Sequence, residues 1–477
     1  MPRRDDTLAS WGGPGELSAW EAIMWRAEGD HRTRSAGVVV EILDSEPDWD
    51  RLVAAHDRWT QRIPRLRERV LQPPLPIVTP AWSPDPHFDL GYHLQHLRLP
   101  QCGSIDDLYA IAAVLAARPL DSQRPPWEAL LVGGLPDGHA AYLLKLHHSL
   151  TDGLGMLQLL DLTHGHGPRA SASVPTPAPR PRHERSSSGL LVNRLAAKMA
   201  GAPSDLARES AHVAGRFAAD PIAATREVIR FGASLRRVLT PPQAPRSPIL
   251  RDGGTGYRFI TLDVPLNPLK SAGKAAGGSV NDAFLAALLG GVRRYHETLG
   301  VAVDYLPMAI PVSLRTGNDP MGGNRFAAAR FVAPVGEPDP GARISAIHRF
   351  IAEARGEPAL GFLDMIAPAL SLLPGSVLTQ IAAQMTGVSD LQASNMAGVD
   401  RIFYLAGVKV LRLYVLGPRP GVAAIATMLS YDGTCCIGVN VDPEAITDVP
   451  EFSRCLQEGF DEVLTWKAPK AAGPEAQ

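Results

Sequence analysis

The stretch LLKLHHSLTDGLG, residues 143–155, ends an alternating apolar run with two adjacent histidines and places an Asp-Gly pair shortly after them. In an extended strand successive side chains point to opposite faces, so His148 shares a face with Leu146, whereas His147 shares one with Lys145. The two imidazoles therefore diverge and are poorly placed to chelate one metal ion, and no further ligand is spaced suitably for zinc. The run predicts a strand that ends at the histidines and is followed by a turn.

Proton transfer accounts for His148 better than metal binding does. A neutral imidazole has a pKa of about 6.5, so it accepts a proton from an alcohol or a thiol near neutral pH. Asp152 can fold back to pair with a cation or to hold the loop, and Gly153 lets the backbone turn or a substrate approach closely. The alternative is a strand end in which His148 is a hydrogen-bonded core residue and Thr-Asp-Gly is an ordinary turn.

Length and composition describe an ordinary globular protein with more than one core. The chain has 477 residues, of which 45% are hydrophobic and 20% are charged, and this length predicts two domains or two halves. Lys and Arg total 47 against 49 Asp and Glu, which gives a formal net charge of −2. A nucleic-acid-binding protein normally has a clear basic excess, so we expect no nucleic-acid partner.

The cysteines and the apolar segments point to a cytoplasmic protein. The four cysteines lack the paired spacing of a zinc site and are too few for a disulfide scaffold, and Cys435 and Cys436 are expected to be small buried strand residues. No secretory signal follows the first basic residues, and no window reaches the roughly 18 apolar residues of a membrane span. Peripheral contact with a membrane or a lipid inclusion stays open, and residues 363–385 are the segment to inspect for it.

Strand-like and helix-like patterns alternate along both ends of the chain. Residues 35–43 are β-branched and predict a buried strand, and residues 48–63 have the apolar spacing of an amphipathic helix. Ser104 is expected to cap the next helix, and residues 127–147 predict two strands joined by a Pro-Asp-Gly turn. The second half again mixes helices with strands. The patterns therefore predict an α/β fold with mixed α+β sheets.

The chain divides at a segment rich in Pro, Ser and Arg. Residues 166–189 lack periodicity and predict a linker or crossover. We therefore divide the chain into an N-terminal half, a linker, a C-terminal half and a disordered tail, with bounds at 1–165, 166–189, 190–468 and 469–477. Two α/β halves joined by a long crossover account for this organisation.

The HHxxxDG string, His147, His148, Asp152 and Gly153, resembles the active-site motif of the CoA-dependent acyltransferase and condensation-domain superfamily. Within it the sequence is most similar to the bacterial wax ester synthase/diacylglycerol acyltransferase family, over nearly the whole chain and in the family's order. The matching blocks are PRLRERV at 64–70, HFDLGYHL at 87–94, PLDSQRPPWEALLVGGL at 119–135, SVNDAFLAAL at 279–288, IPVSLR at 310–315, GGNRF at 322–326, ASNMAG at 393–398 and SYDG at 430–433. Two departures are Pro126, where the family commonly has leucine, and Glu21, where an aspartate is usual.

The resemblance implies two chloramphenicol-acetyltransferase-like halves around a central substrate tunnel. It also implies acyl transfer without a covalent enzyme intermediate, which agrees with the lack of a G-x-S-x-G nucleophile motif. His148 is then the general base that deprotonates an acceptor hydroxyl, so that the alkoxide attacks the thioester carbonyl of acyl-CoA. His147 supports its neighbour, and Asp152 orders the loop with an arginine for which Arg315 is a candidate. No cofactor is implied, because acyl-CoA is a substrate.

Further polar residues are candidates for substrate or oxyanion contacts. Asn281, Ser394 and Asn395 are polar positions in apolar surroundings, and a developing negative charge needs such donors. Turn or helix-cap chemistry is the alternative for all three, and for Asn281 the two interpretations weigh equally. Trp127 is a candidate for lining a substrate channel, with core packing as its alternative.

Three functions follow, and the first is preferred. It is an O-acyltransferase that uses fatty acyl-CoA to make triacylglycerol from diacylglycerol, or wax esters from a long-chain alcohol. The second is a member of the superfamily that acylates a specialised small molecule, which the Pro126 departure and the long crossover favour. The third is a non-catalytic acyl-chain binding protein, which the intact motif argues against.

Overall fold

The computed structural model describes residues 11–73, 78–100, 103–168, 244–250, 253–313, 321–324, 326–355, 375–386 and 388–468, with residues 189 and 373. Several sequence-based predictions lie outside these residues. They are most of the linker, the helical spacing expected between about 190 and 240, the tail, residues 363–372 and 374 of the segment 363–385, and Arg315.

Fourteen strands and ten α-helices are formed by the described residues. The strands are β1 (Ala36–Leu43), β2 (Glu68–Leu71), β3 (Ala81–Pro84), β4 (Leu94–Arg98), β5 (Trp127–Gly133), β6 (Ala140–His147), β7 (Arg258–Pro265), β8 (Tyr305–Ser313), β9 (Phe326–Pro334), β10 (Leu391–Val399), β11 (Tyr404–Leu405), β12 (Val408–Leu416), β13 (Ala424–Tyr431) and β14 (Thr434–Val441). The helices are α1 (Ala19–Ala27), α2 (Trp49–Arg62), α3 (Leu90–His93), α4 (Ile105–Ala117), α5 (Gly153–Thr163), α6 (Leu266–Ala275), α7 (Val280–Thr298), α8 (Pro340–Arg355), α9 (Gly375–Thr386) and α10 (Val449–Thr465).

Local sequence signals explain where these elements begin and end. The β-branched run at 35–43 forms β1, the amphipathic segment at 48–63 forms α2, and β5 and β6 form the predicted hairpin around a 3₁₀ turn at Pro136–Gly138. Ser104 caps α4 as predicted, accepting a hydrogen bond from the Asp107 backbone N–H while the Asp107 carboxylate accepts one from the Ser104 N–H.

The first half of the chain is built around a six-stranded sheet with the order β11-β12-β1-β6-β5-β4. Strand β1 pairs antiparallel with β6 on one side and with β12 on the other, so that Ala36 lies opposite His147 and Val38 opposite Leu416. Strands β11 and β12 come from residues 404–416, and the C-terminal part of the chain therefore completes the sheet that carries the histidine motif.

The second sheet, in the order β7-β14-β13-β10-β8-β9, belongs entirely to the second half of the chain. Strand β10 runs parallel to both of its neighbours, and the remaining pairs are antiparallel. Both sheets are therefore mixed, apart from the small antiparallel ribbon of β2 and β3. This confirms the predicted α/β class.

Each sheet has its own apolar core, and the two cores meet at the second sheet. Alternate residues of β13 and β14 point to different sides: Leu429 and Cys436 lie in the core of the first half, whereas Met428 and Cys435 lie in the core of the second. Both cysteines are fully buried strand residues, as predicted. The second sheet is therefore packed on both faces and separates the two cores.

Among the described helices, none is by itself long and apolar enough to cross a membrane. Helices α6 and α7 taken together have the length and the apolar composition of a membrane span, but their axes are bent by 96° relative to each other.

A buried histidine ties α2 to the strand that carries the motif. Nδ1 of His56 lies 2.8 Å from the carbonyl oxygen of Leu52, and Nε2 lies 2.7 Å from the hydroxyl of Tyr142 on β6. Because a carbonyl oxygen only accepts, Nδ1 carries the proton and Nε2 accepts from the tyrosine. Burial lowers the pKa of His56 to about 4, so the ring is neutral in the folded protein at neutral pH.

This neutral histidine makes stability depend on pH. Its pKa in the unfolded chain is about 6.5, so between that pH and about 4 the unfolded state binds a proton that the folded state does not, and stability is lost as the pH falls through this window. Between pH 7 and pH 5 we expect wild-type protein to lose roughly 2 kcal/mol more unfolding free energy than His56→Gln. Urea titrations at the two pH values measure this, with the exposed His31→Gln as control. Equal losses in wild type and His56→Gln would contradict it.

Candidate active site

The first histidine of the motif is an anchor with partners on both ring nitrogens. His147 is the last residue of β6 and is completely buried. Its Nδ1 accepts a hydrogen bond from the backbone N–H of Ser149 at 2.9 Å, so the proton is on Nε2, which lies 3.1 Å from a carboxylate oxygen of Glu28. The edge of the ring also packs against Trp25, with the centroids 5.1 Å apart. His147 therefore fixes the end of the strand to the chain that follows α1.

The second histidine lies in the turn after β6, and its backbone is held from two sides. The N–H of His148 donates to the carbonyl oxygen of Ser35 at 2.9 Å, and its carbonyl oxygen accepts from Nδ2 of Asn324 at 3.0 Å. The same Nδ2 lies 3.5 Å from Nδ1 of the ring. Ser35 precedes β1 in the first half of the chain, whereas Asn324 belongs to the second, so the two halves meet at this residue.

The surroundings of His148 keep its imidazole neutral. Burial lowers the pKa of His148 to about 4, and the neighbouring His147 acts in the same direction, while the carboxylates of Asp152 and Glu28 oppose the shift. The side chain is only partly exposed to solvent. At neutral pH the ring is therefore in the unprotonated form that a general base requires.

Asp152 starts α5 and holds the motif to the second half of the chain. Its Oδ1 accepts a hydrogen bond from the Gly155 N–H at 2.9 Å, which is the N-cap interaction. Its own N–H donates to the carbonyl oxygen of Gly323 at 2.9 Å, and Thr151 forms an isolated parallel bridge with Gly323. These bonds tie the Asp152 turn to the second half of the chain, and the predicted role of Asp152 in the active site stays a prediction.

Two glycines allow the second half to approach this turn. A Cβ on Gly153 would lie 2.9 Å from Cε of Met396 on β10. A Cβ on Gly155 would lie 2.1 Å from Oγ1 of Thr151 and 2.9 Å from Cα of Gly322. The first contact involves the end of a flexible side chain, but the second involves backbone that cannot yield without moving the loop.

Ser394 and Asn395 lie on β10, next to the motif but on opposite faces of the strand. Ser394 shares its face with Met396, the residue against Gly153, whereas Asn395 shares the face of Ala393, which points into the second core. The pairing of Ser394 with Thr427 and of Asn395 with Met428 is regular there, so the alternation holds. Strand β10 therefore directs Ser394 towards the motif and Asn395 away from it, and the oxyanion role of either stays a prediction.

Asn281 is in the first turn of α7, as its helix-start interpretation predicts. Ser279 caps this helix together with Asp282, whose carboxylate also lies 2.8 Å from Nδ1 of His348. Within the described part of the chain no hydrogen bond joins Asn281 to the histidine motif. The structure does not bring this residue together with His148, and its proposed substrate contact stays a prediction.

Trp127 is a core residue that also lines a small cavity. Its Nε1 donates to the carbonyl oxygen of Leu66 at 2.8 Å, and its ring stacks on His93 with the centroids 4.6 Å apart. It lines a small cavity of about 30 Å³ together with Leu144 and Leu146 of β6. Core packing therefore explains the position of Trp127, and its predicted substrate contact stays open.

Sequence reasoning missed three residues that hold the histidines. Glu28 belongs to none of the motif blocks, and Asn324 stands out in the sequence only as part of the GGNRF block. Glu21 was noted only as a departure from the family, yet its buried Oε1 accepts from the backbone N–H of Asn324 at 2.9 Å. Burial raises the pKa of Glu21. A polar residue between a Gly-Gly pair and a strand was the one available signal for Asn324.

Comparison with known proteins agrees with this geometry. Residues 17–284 match the wax ester synthase/diacylglycerol acyltransferase catalytic domain, and residues 322–463 match the C-terminal domain of the same family. The chain belongs to this family. The wax ester synthase/diacylglycerol acyltransferase (WS/DGAT) resemblance inferred from the motif blocks is therefore confirmed, and the protein is an acyltransferase.

Relatives support the same assignment over most of the chain. A Mycobacterium tuberculosis protein provisionally named as a diacylglycerol O-acyltransferase is 39% identical over 453 residues, which cover 94% of this WS/DGAT chain and 91% of the relative. The WS/DGAT structure from Marinobacter aquaeolei VT8 superposes with a TM-score of 0.62 at 19% identity, covering 94% of this chain and 98% of that one. The first condensation domain of the calcium-dependent antibiotic synthetase superposes with a TM-score of 0.56 at 17% identity, covering 96% and 97%. The last two show the two-lobed, chloramphenicol-acetyltransferase-like fold.

The close approach at Gly155 leads to a prediction about the WS/DGAT motif turn. Because the added Cβ of Gly155→Ala would collide with the backbone of Gly322, we expect a loss of stability of about 1–3 kcal/mol and a fall in acyltransferase activity of at least about tenfold. Gly167→Ala, where a Cβ meets nothing within 4 Å, is the matched control. Thermal unfolding and initial rates measure the two effects. Wild-type behaviour of Gly155→Ala would show that the turn does not depend on this contact.

Proposed function

We propose that this WS/DGAT enzyme transfers a fatty acyl group from acyl-CoA directly to the hydroxyl of diacylglycerol or of a long-chain alcohol. The observation that carries the proposal is the neutral imidazole of His148 at the meeting point of the two halves. The provisional name of the Mycobacterium relative favours diacylglycerol, and the name of the family includes both acceptors.

His148 is the general base in this proposal. It takes the proton of the acceptor hydroxyl, and the resulting alkoxide attacks the carbonyl carbon of the thioester. The tetrahedral intermediate then expels the CoA thiolate, which takes the proton back from the imidazolium, so the enzyme ends unchanged. The anchored backbone of His148 and the packed ring of His147 favour a fixed direction of attack.

The oxyanion of the intermediate needs a donor close to the base. Of the three polar residues selected from the sequence, Ser394 best fits this need, because its side chain is on the face of β10 that meets Gly153. Asn395 and Asn281 are weaker candidates because Asn395 is exposed on the other face of β10 and Asn281 is in the first turn of α7.

A lipid acceptor also bears on where the enzyme works. We propose a cytoplasmic enzyme that touches a membrane or lipid inclusion only peripherally, since its acceptors partition into such surfaces. Leu154, 42% exposed and directly after Gly153, is an apolar side chain at the motif that suits such contact. Sedimentation with diacylglycerol-containing vesicles measures it, and we expect Leu154→Ser to sediment less than wild type. Equal sedimentation of the two would contradict the role of Leu154.

The main test is release of free CoA from palmitoyl-CoA in the presence of dipalmitoylglycerol or hexadecanol. We expect His148→Ala to lower the rate about 10²–10⁴-fold, because that is the usual contribution of a general base. His139→Ala is the control, since His139 lies at the far end of the same hairpin and its Nδ1 is 3.0 Å from the Asp44 carbonyl oxygen. A His148→Ala enzyme as fast as wild type would remove His148 from the mechanism.

The acceptor panel separates this proposal from its alternatives. A clear preference for short polar alcohols over both lipids would favour a specialised small-molecule acceptor. Thermal stabilisation by palmitoyl-CoA, without turnover on any acceptor, would favour an acyl-chain binding protein.

The pH dependence of kcat gives a second check on the base. Activity requires unprotonated His148, whose pKa is lowered to about 4, so kcat should stay level as the pH falls from 8 to about 6 and decline as it approaches 4. An acid limb near pH 6.5, the ordinary histidine value, would show that His148 is not shielded in the working enzyme.

A further inference from the structure

The short segment from Met321 to Asn324 links the second half of the chain to the motif. The carbonyl oxygen of Met321 accepts from the N–H of Gly12 at 3.0 Å, and the carbonyl oxygen of Gly323 accepts from Asp152. The match to the family's C-terminal domain begins at residue 322, so this segment opens the second domain and immediately contacts the first. Asn324 is the polar side chain of this segment, and only 5% of its surface is exposed.

Asn324 contacts the base directly through its amide group. Nδ2 donates to the carbonyl oxygen of His148 at 3.0 Å and lies 3.5 Å from Nδ1 of the imidazole. The backbone N–H of Asn324 is held in turn by Oε1 of Glu21, whose other oxygen accepts from the Ser18 N–H at 2.7 Å. The side chain is therefore fixed at its root by α1 and at its tip by His148.

We propose that Asn324 is a positioning residue for the acyl transfer, a neutral donor that fixes His148 and keeps its imidazole unprotonated. The inference rests on the proposed function of His148 as base. Asn324 acts through His148 and is not itself a catalytic residue.

The chemistry of the amide explains why a neutral donor suits this position. An aspartate of the same shape would bring a negative oxygen against the His148 carbonyl oxygen and close to Nδ1, which would repel the first and stabilise a proton on the second. The titratable groups already facing His148 are His147 on β6, Asp152 at the start of α5 and Glu28 after α1. Another carboxylate would add to the effect of Asp152 and Glu28 and oppose that of burial.

The test compares Asn324→Asp with a matched asparagine elsewhere. Asn440 on β14 is also buried, its Nδ2 donates to the Gly417 carbonyl oxygen at 2.9 Å, and, like that of Asn324, its Oδ1 has no hydrogen-bond partner among the described residues. Asn440→Asp therefore makes the same chemical change in a comparable setting away from the motif.

We expect Asn324→Asp to move the acid limb of the kcat profile upward by about one to three pH units, because a nearby carboxylate raises a histidine pKa by that amount. Asn440→Asp should leave the limb where wild type has it. Asn324→Ala, which removes the donor without adding charge, should lower kcat about tenfold or more, with the KM for palmitoyl-CoA within about twofold of wild type.

A readout that needs no turnover separates this inference from the proposed function. The rate at which diethyl pyrocarbonate modifies His148, followed by mass spectrometry across pH, reports the unprotonated imidazole directly. If wild type shows no acyl transfer but the modification profile of Asn324→Asp is shifted, the proposed function fails and the inference about Asn324 stands. An Asn324→Asp profile no different from that of Asn440→Asp would overturn the inference. If Asn324→Asp does not fold, equal losses of kcat in Asn324→Ala and Asn440→Ala would overturn it instead.

Discussion

The backbone of His148 is hydrogen-bonded to both halves of the molecule, and the rest of the site is arranged around that constraint. Its N–H is bound by Ser35 beside β1, and its carbonyl oxygen by Asn324 from the second half. These two bonds fix the position of His148 relative to both halves of the chain. Preorganisation of this kind reduces the reorganisation needed when the substrate reacts.

Electrostatics at this point follow from the same contacts. The motif puts two histidines side by side, but their imidazoles have different neighbours. Nδ1 of His147 accepts from the Ser149 N–H and Nε2 faces Glu28, so both of its ring nitrogens have partners. Burial lowers the pKa of His148 to about 4 against the opposing effect of Asp152 and Glu28, and Asn324 presents a neutral amide to the ring.

Features encoded by neighbouring residues could be predicted from the sequence. The strand at 35–43, the helix at 48–63, the cap at Ser104 and the hairpin that ends in the histidines all depend on local periodicity or capping chemistry. The family and its fold followed from an ordered series of motif blocks. The same local signals also explain Asn281, where a helix start and a functional residue look alike in sequence.

Other features depend on parts of the chain that are far apart, and no local pattern encodes them. The pairing of β1 with β12 joins residues more than 350 positions apart. The link from Glu21 through Asn324 to His148 spans both domains, and none of the three is adjacent in sequence to the next. The choice between Ser394 and Asn395 required the register of β10, which only the assembled sheet fixes.

The strands that the second half contributes to the first sheet restrict how this enzyme can be divided or recombined. Residues 404–416 cover the edge of β1, so an N-terminal fragment that stopped at the linker would expose that edge and invite intermolecular pairing. Chimeras between relatives face the same restriction: an exchanged N-terminal half would have to find a compatible β12 in its new partner. Exchanging halves at the linker would therefore disrupt the pairing of β1 with β12. Substitutions in one of these strands have to stay compatible with the other.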